Sequence, residues 1–435
     1  MSIHVAVPHD CVTIAATYLG VMAYRMLYDI YDMQRSMLAN AGAMASFGAD
    51  LLQNPANPFA YMGGGTVLGS ALQVFAHAAA PRGKPAFGLT ETIVDGRVVA
   101  VREEIVLRKP FGQLKRFVRD GVEGGPKLLI VAPMSGHYAT LLRGTVERML
   151  PSADVYITDW RDARQVPVGD GRFDLDDYVD YLIEFMAATG PNAGQGGAHM
   201  LAVCQPSVPC YAAVALMSAD RDPNRPKTLT MMGGPIDTRE APTAVNTVAT
   251  GRPHSWFQQN VIATVPLAYP GAGRQVYPGF LQLAGFMSMN LGNHMVSHWE
   301  MFKHLVAGDG ESAGATQEFY QEYRSVCDMT AEFYLQTIHV VFQDHSLPRG
   351  RMMHRGRKVD PAAIDDVAIL AIEGERDDIS GLGQTRAALT ISTGLADDMK
   401  QYFMAEGAGH YGIFNGSRWR DRIAPVVEEW IAAHG

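Results

Sequence analysis

Short apolar runs that alternate with helical stretches constrain the fold of this chain more than any other feature. The apolar runs lie at residues 128–133, 155–158, 200–203 and 229–232. The helical stretches between them lie at residues 141–150, 175–188 and 208–219. Strands that alternate with helices in this way form a mostly parallel sheet with helices on both faces. We therefore predict an α/β fold for the middle of the chain.

The same pattern divides the chain into four segments. Residues 1–88 carry apolar residues at helical spacing and predict a helical extension, a candidate cap, homodimer surface or docking element. The strand–helix alternation occupies residues 89–240, where Asp95-Gly96 predicts a tight hairpin. It resumes at residues 363–435. Residues 241–362, rich in Pro, Gly and aromatic residues, predict a lid inserted between the sixth and seventh strands.

Composition excludes several classes of function. The chain of 435 residues is 47% hydrophobic and 19% charged, as expected of a folded water-facing protein. A net charge of −9 and no long basic run argue against a nucleic-acid partner. No apolar segment reaches the roughly 18 residues of a membrane span, and residues 12–24 lack the basic start of a signal peptide. The cysteines show neither metal nor disulfide spacing, which favours a reducing cytoplasm.

Cys204 lies where an apolar strand meets a helix, within residues 199–209. A strand, a sharp turn with a reactive side chain at its tip, and a following helix make up a nucleophile elbow. The usual elbow reads Gly-x-Ser-x-Gly, whereas this one has a thiol at the tip and Ala202 and Pro206 beside it. Taken alone, a cysteine at a strand end is more often a small buried residue than a nucleophile.

A thiol nucleophile needs a base, and the base needs an acceptor that orients it. In a fold with this elbow the order along the chain is nucleophile, acid, histidine. Asp377 follows the apolar run that ends at residue 372, and His410 lies in a glycine-rich loop after the last run. We predict Cys204, Asp377 and His410 as the catalytic residues. Asp378 and Asp237 are the weaker candidates for the acid.

An oxyanion hole needs two backbone N–H groups beside the nucleophile. One is predicted from Gln205, the residue after Cys204. The other is predicted from the loop after residue 133, with Ser135 as the first choice. Met134, Gly136 and His137 in that loop are candidate substrate contacts.

Two further patterns have an ordinary explanation that we prefer. His294, His298 and His304 suggest a metal site but lack the Glu of the metalloprotease pattern, so we predict no metal. The apolar residues of segment 280–291 would suit an apolar surface, although lid packing is the simpler explanation.

Four segments, residues 131–137, 201–209, 374–380 and 409–416, resemble the intracellular polyhydroxyalkanoate (polyhydroxybutyrate) depolymerases. Residues 26–34 also resemble the start of that family. The resemblance implies an α/β-hydrolase fold with Cys204, Asp377 and His410 as its triad. It also implies that the chain needs no cofactor and acts in the cytoplasm at the surface of stored polyester granules.

The expected activity is hydrolysis of poly-3-hydroxybutyrate through a thioester on Cys204, releasing 3-hydroxybutyrate or short oligomers. A polyhydroxyalkanoate synthase also uses a cysteine in this fold, but synthase elbows resemble Gly-x-Cys-x-Gly. Ala202 and Pro206 depart from that pattern and favour the depolymerase. The same residues are also compatible with a non-catalytic granule-binding protein and with a hydrolase of small esters or thioesters.

Overall fold

The computed structural model describes residues 9–54, 56, 65–80, 83–190, 198–289, 322 and 324–435. The side chains of residues 9–27 and 286–289 are outside this description. His294, His298 and His304 lie outside the described residues, as do residues 290 and 291 of the apolar segment 280–291. In that segment Phe280, Leu281 and Leu283 are half-buried.

The chain begins with a helical hairpin made of α1 (His9–Gln53) and α2 (Gly65–Ala79). The two helices pack closely because small residues line their contact: a Cβ built on Gly42 would lie 2.8 Å from Ala79 Cβ. None of the described helices is both long and apolar enough to cross a membrane.

Nine strands of the described chain form one sheet in the order β1-β2-β3-β5-β4-β6-β7-β13-β14. Its strands are β1 (Glu91–Val94), β2 (Arg97–Lys109), β3 (Gly112–Arg119), β4 (Lys127–Val131), β5 (Asp154–Trp160), β6 (Ala198–Val203), β7 (Thr228–Met232), β13 (Ala368–Gly374) and β14 (Lys400–Ala405). From β5 to β14 all neighbours are parallel, while β1, β2 and β3 pair antiparallel. The predicted mostly parallel sheet is confirmed. Asp95 and Gly96 turn the β1–β2 hairpin with φ of +49° and +75°, as a tight turn of this type requires.

Strand β3 was not predicted from the sequence because charged residues interrupt its apolar pattern. Lys115 and Arg119 are nonetheless buried. The structure supplies a partner for each cation: Lys115 Nζ lies 2.6 Å from Glu103 Oε2, and Arg119 donates to the carbonyls of Leu150 and Gly124. Buried charge is tolerated where such partners exist.

Helices cover both faces of the sheet and extend into the insertion. In chain order they are α3 (Arg143–Met149), α4 (Leu175–Ala188), α5 (Ser207–Ala219), α6 (Ala244–Thr250), α7 (His254–Asn260), α8 (Gly279–Met289), α9 (Ala331–Thr337), α10 (Ala387–Ile391) and α11 (Ala424–His434). A capping box between Asp174 and Asp177 begins α4. Helix α5 is buried along almost its whole length, which fits its uninterrupted apolar sequence.

Residues 233–367 separate β7 from β13 and contain α6–α9 with three small strands, β8 (Ala263–Thr264), β9 (Gln275–Tyr277) and β10 (Met329–Thr330). A two-stranded ribbon, β11 (Met353–His354) and β12 (Arg357–Lys358), follows. In chain order β7 and β13 are the seventh and eighth strands of the sheet and not the sixth and seventh, because the sequence analysis did not include β3. The insertion thus lies at the carboxyl ends of the strands, where ligands bind in open α/β sheets.

Candidate active site

Cys204 forms the tip of a sharp turn between β6 and α5. Its φ of +67° lies in the left-handed region, which costs a residue with a side chain about 1–2 kcal/mol. The Cys204 N–H donates to the Met232 carbonyl at 2.7 Å, and its carbonyl accepts the Ser207 N–H at 3.1 Å. These two bonds hold the strained turn between β7 and α5, as in a nucleophile elbow.

Cys204 also differs from the other cysteines whose side chains are described. Cys204 is half-buried, whereas Cys210 and Cys327 are buried. Burial raises the pKa of both the Cys210 and the Cys327 thiols well above the ordinary value, which makes them poor nucleophiles. Cys204 is therefore the described cysteine with access to a substrate.

Asp377 and His410 follow the neighbouring strands β13 and β14, so their loops meet at one edge of the sheet. His410 Nδ1 donates to Asp377 Oδ2 at 2.7 Å, and both side chains are nearly inaccessible to solvent. The other carboxylate oxygen, Oδ1, accepts the N–H groups of Ile379 at 2.9 Å and Ser380 at 2.8 Å. The carboxylate is thus held by its own loop and orients the imidazole.

The pKa of His410 lies well above its ordinary value. Burial, the largest single influence, lowers this pKa, but the charges of Asp377 and Cys204 and hydrogen bonds to both raise it further than burial lowers it. The imidazole therefore lies between a carboxylate and a thiol, with its cation stabilised. This arrangement allows His410 to accept the thiol proton and later to donate it.

The two competing acids lie in other surroundings. Asp237 forms a two-point ion pair with Arg239, at 2.8 and 2.6 Å. Burial raises the pKa of Asp237, but the bonds and charge of Arg239 prevail and lower it overall. Asp378 is exposed. Asp377 is thus the carboxylate in contact with His410.

The loop after β4 faces the elbow and is held rigidly. Ala132 donates its N–H to Thr158 Oγ1 at 2.9 Å, and its carbonyl accepts the indole N–H of Trp160 at 2.8 Å. Further along, Met134 donates its N–H to the side-chain Oε1 of Gln205 at 3.2 Å. The side chain of Gln205, the residue after Cys204, therefore accepts the hydrogen bond of one backbone N–H in the candidate oxyanion loop.

The other predicted loop residues take different positions. Ser135 lines the cavity beside Cys204, as do Met134 and His137. Gly136 has a φ of +90°, and a Cβ there would lie 2.5 Å from Gln282 Oε1. His137 is buried and forms a β-bridge with Val326. Gly136 thus packs under helix α8, whereas its neighbours reach the cavity.

A cavity of about 380 Å³ opens above Cys204 and His410. Much of its wall comes from the insertion and is apolar or aromatic, including Val248, Phe257, Tyr277, Phe333, Tyr334 and Phe342. A larger cavity, about 890 Å³, lies at the opposite end of the strands, near Lys127 and Asp154, and has no cysteine among its described lining residues. The smaller cavity is the candidate site because the Cys204 thiol and the His410 imidazole line it.

Two residues that support the site were not predicted from the sequence. Gly233 has a φ of +60°, and a Cβ there would lie 3.1 Å from His410 Cε1 and 3.2 Å from Asp377 Oδ2. Glu373 is buried at the end of β13, where its carboxylate accepts the N–H groups of Gly383, Thr385 and Arg386. The pair of glycines at residues 233–234, directly after an apolar run, was the sequence signal that could have indicated Gly233. No local sequence pattern indicates the role of Glu373.

A cluster of three or more His, Cys, Asp or Glu side chains suited to a metal ion is absent from the described part of the chain. The candidate site contains the Cys204 thiol, the His410 imidazole and the Asp377 carboxylate.

Residues 233–435 match the protein family described as PHB de-polymerase C-terminus. This region contains Asp377 and His410, and it begins at Gly233.

The chain is also similar to the Poly(3-hydroxyalkanoate) polymerase subunit PhaC of Haloarcula marismortui, with 22% identity over 317 residues. That alignment covers 71% of this chain and 61% of the relative, so the chain spans about three fifths of the length of the protein it matches.

Among solved structures, similar chains include naproxen esterase from Bacillus subtilis and a 2-hydroxy-6-oxo-6-phenylhexa-2,4-dienoate hydrolase from Rhodococcus. The esterase is 14% identical with a TM-score of 0.40, and the alignment covers 76% of this chain and 92% of the esterase chain. The hydrolase is 13% identical with a TM-score of 0.41, and the alignment covers 77% of this chain and 99% of the hydrolase chain. The family match is therefore limited to residues 233–435, which are similar to the PHB de-polymerase C-terminus domain.

Proposed function

We propose that this chain hydrolyses the ester bonds of stored poly-3-hydroxybutyrate, with Cys204 as the nucleophile. The observation that carries the proposal is the buried His410–Asp377 pair beside a half-buried cysteine at the tip of a strained turn. The match of residues 233–435 to the PHB de-polymerase family supports the polymer as substrate. The apolar wall of the cavity suits a chain of methyl-bearing ester units, which carries no charge.

In the proposed acylation step, His410 takes the thiol proton and Cys204 Sγ attacks the ester carbonyl carbon. The carbonyl electron pair moves onto oxygen, where the Gln205 N–H and a donor from the loop at Met134 and Ser135 stabilise it. When the intermediate collapses, the C–O bond of the ester breaks. His410 returns its proton to the leaving hydroxyl and leaves a hydroxyacyl thioester on Cys204.

Deacylation uses the same groups in reverse order. His410 removes a proton from water, and the resulting hydroxide attacks the thioester carbonyl. Collapse breaks the C–S bond, and the proton returns to the sulfur. Asp377 holds the imidazole so that Nε2 faces the sulfur and the water, because Nδ1 donates to the carboxylate. The products are 3-hydroxybutyrate or short oligomers.

The second candidate function is polymer synthesis, which would pass the same acyl group to a growing chain instead of to water. The similarity to a polymerase subunit favours it. Ala202 and Pro206 beside Cys204, where synthase elbows resemble Gly-x-Cys-x-Gly, favour hydrolysis.

The test is release of hydroxy acid from amorphous poly-3-hydroxybutyrate granules by the wild-type protein and by Cys204→Ala. We expect the variant to lose activity by about a thousandfold or more. Cys210→Ala is the matched control, because Cys210 is buried in the following helix. It should keep its activity while losing about 1 kcal/mol of stability.

Four results would change the assignment. Full hydrolysis by Cys204→Ala would refute the nucleophile. Release of coenzyme A from 3-hydroxybutyryl-CoA with growth of polymer, without hydrolysis, would establish the synthase. Sedimentation with granules but no turnover by the wild type would indicate a binding protein, and activity on small esters alone would indicate a general esterase.

A further inference from the structure

The helical hairpin of α1 and α2 has its small residues inside and its large apolar residues outside. Ala45, Ala49 and Ala79 are buried where the helices meet. A Cβ on Gly48 would lie 3.2 Å from Leu72 Cδ1, so the backbones approach closely. Helices that pack in water normally put their largest apolar side chains into the contact. Small residues take that place where the surroundings of a helix pair are apolar.

The outer side of the hairpin is correspondingly exposed and apolar. We call it the hairpin face and define it by Met37, Met44, Phe47, Val67, Leu68 and Phe75, which are between 43% and 77% exposed. Removing apolar surface from water is favourable by roughly 25 cal/mol per Å². Contact between the hairpin face and an apolar phase would therefore lower the free energy of the protein. A continuous apolar patch on a water-facing protein marks an interaction surface.

The hairpin face is also free of fixed charge. Residues 36–49 contain no Asp, Glu, Lys or Arg, and neither does helix α2. Helices that lie on membranes carry Lys and Arg that attract anionic lipid headgroups. The hairpin face has none of these, and it therefore fits an uncharged surface better than a phospholipid bilayer. The methionines on it adapt to an irregular surface because their side chains are flexible.

The hairpin is fastened to the helix that lines the active-site cavity. Tyr31 stacks on Phe280 of α8 with ring centroids 4.0 Å apart. Tyr28 donates a hydrogen bond to the buried carboxylate of Asp328, and Asp328 in turn accepts the N–H of Gly279, where α8 begins, at 2.9 Å. Gln282, on the same helix, lines the cavity above Cys204.

We propose that the hairpin face is the surface by which this protein docks on its solid substrate, an amorphous and uncharged polyester. The proposal rests on the proposed function for the identity of that surface. Docking through α1 and α2 holds α8, and with it the cavity, against the phase that supplies the polymer chain. The polymer is the proposed occupant of the hairpin face. The test distinguishes it from a second copy of the chain and from a phospholipid membrane.

The test uses the double variant Met44→Glu, Phe47→Lys. These positions are 77% and 70% exposed, and the two new charges form a favourable i, i+3 pair that leaves net charge and helix propensity almost unchanged. The matched control is Ile93→Glu, Val98→Lys on the β1–β2 hairpin. Those residues are 60% and 69% exposed and directly paired across the strands.

Binding is measured as the partition of protein between buffer and protein-free amorphous poly-3-hydroxybutyrate granules. All variants carry Cys204→Ala, so that binding does not depend on turnover. We expect the Met44/Phe47 variant to lose at least tenfold in partition, and the Ile93/Val98 control to match the parent. Thermal unfolding verifies that each variant is folded, and Leu68→Gln on α2 provides an independent second substitution that should weaken partition in the same direction.

Parent-like partition of the folded hairpin variants would overturn the proposal. Equal binding of the parent to phospholipid vesicles would replace the polyester with a membrane. A dimer of the parent that only the hairpin variants dissociate, with granule binding unchanged, would replace it with a second copy. If granules bind the hairpin face but the wild type hydrolyses no ester, the proposed function fails and the docking surface stands.

Discussion

Replacing Gly233 by alanine is the sharpest test of how the site is built. Gly233 follows β7 with a φ of +60°. A Cβ at this position would lie 2.7 Å from Ile413 Cδ1, 3.1 Å from His410 Cε1 and 3.2 Å from Asp377 Oδ2. These distances are shorter than ordinary van der Waals contact, so the neighbouring side chains must move by several tenths of an ångström.

The expected cost follows from two terms. The left-handed conformation costs a residue with a side chain about 1–2 kcal/mol, and overpacking of a buried site costs about 1–3 kcal/mol. We therefore expect Gly233→Ala to reduce the free energy of unfolding by about 2–5 kcal/mol. Displacement of the imidazole from its reactive position should lower kcat by about tenfold to a hundredfold.

Gly409→Ala is the matched control because Gly409 immediately precedes His410. Its φ is −86°, and the nearest atom to an added Cβ is the Arg376 carbonyl oxygen at 3.6 Å, an ordinary contact. We expect this variant to be as stable as the wild type or more stable by about 0.4–1 kcal/mol, because alanine restricts the unfolded chain. Urea unfolding and turnover of a soluble ester measure both quantities. Wild-type stability and kcat in Gly233→Ala, or equal losses in Gly409→Ala, would show that close packing at Gly233 does not position the imidazole.

Two further substitutions test the electrostatics of the site and the state of the oxyanion loop. Since Asp377 raises the pKa of His410, Asp377→Asn should lower that pKa, move the alkaline limb of the kcat/KM profile to lower pH and reduce kcat by about 10³–10⁴-fold. Exposed Asp378→Asn should leave the profile in place, and an unmoved alkaline limb in the first variant would contradict this account. Gln205→Ala removes the acceptor that holds the Met134 N–H, so this N–H becomes free to bond the oxyanion, and kcat for a soluble ester should rise about threefold to tenfold at nearly constant KM, given a net hydrogen-bond energy of about 1 kcal/mol. A higher KM would show instead that the Gln205 side chain contributes to binding.

Most strands of the sheet could be predicted because short segments of the sequence determine them. The runs that became β4–β7 and β13 are apolar over several consecutive residues, and strands buried on both faces need only that property. The hairpin at Asp95-Gly96 was predictable because its turn requires residues that tolerate positive φ. Strand β3 was not predictable, since the partners of Lys115 and Arg119 lie elsewhere in the chain.

The candidate site divides in the same way. Local sequence was enough to place Cys204, Asp377 and His410 in turns at the ends of strands, because each follows an apolar run. Long-range contacts were needed to establish that Asp377, and not Asp237, contacts His410, since Arg239 holds Asp237 in an ion pair.

Folding of the whole chain also determines that the Gln205 side chain bonds the Met134 N–H, that Gly233 has no room for a side chain and that the α1–α2 hairpin turns its large apolar residues outward. Periodicity in a sequence reports which residues share a face of an element. It does not report which other element, or which phase, that face meets, because long-range packing alone determines those contacts.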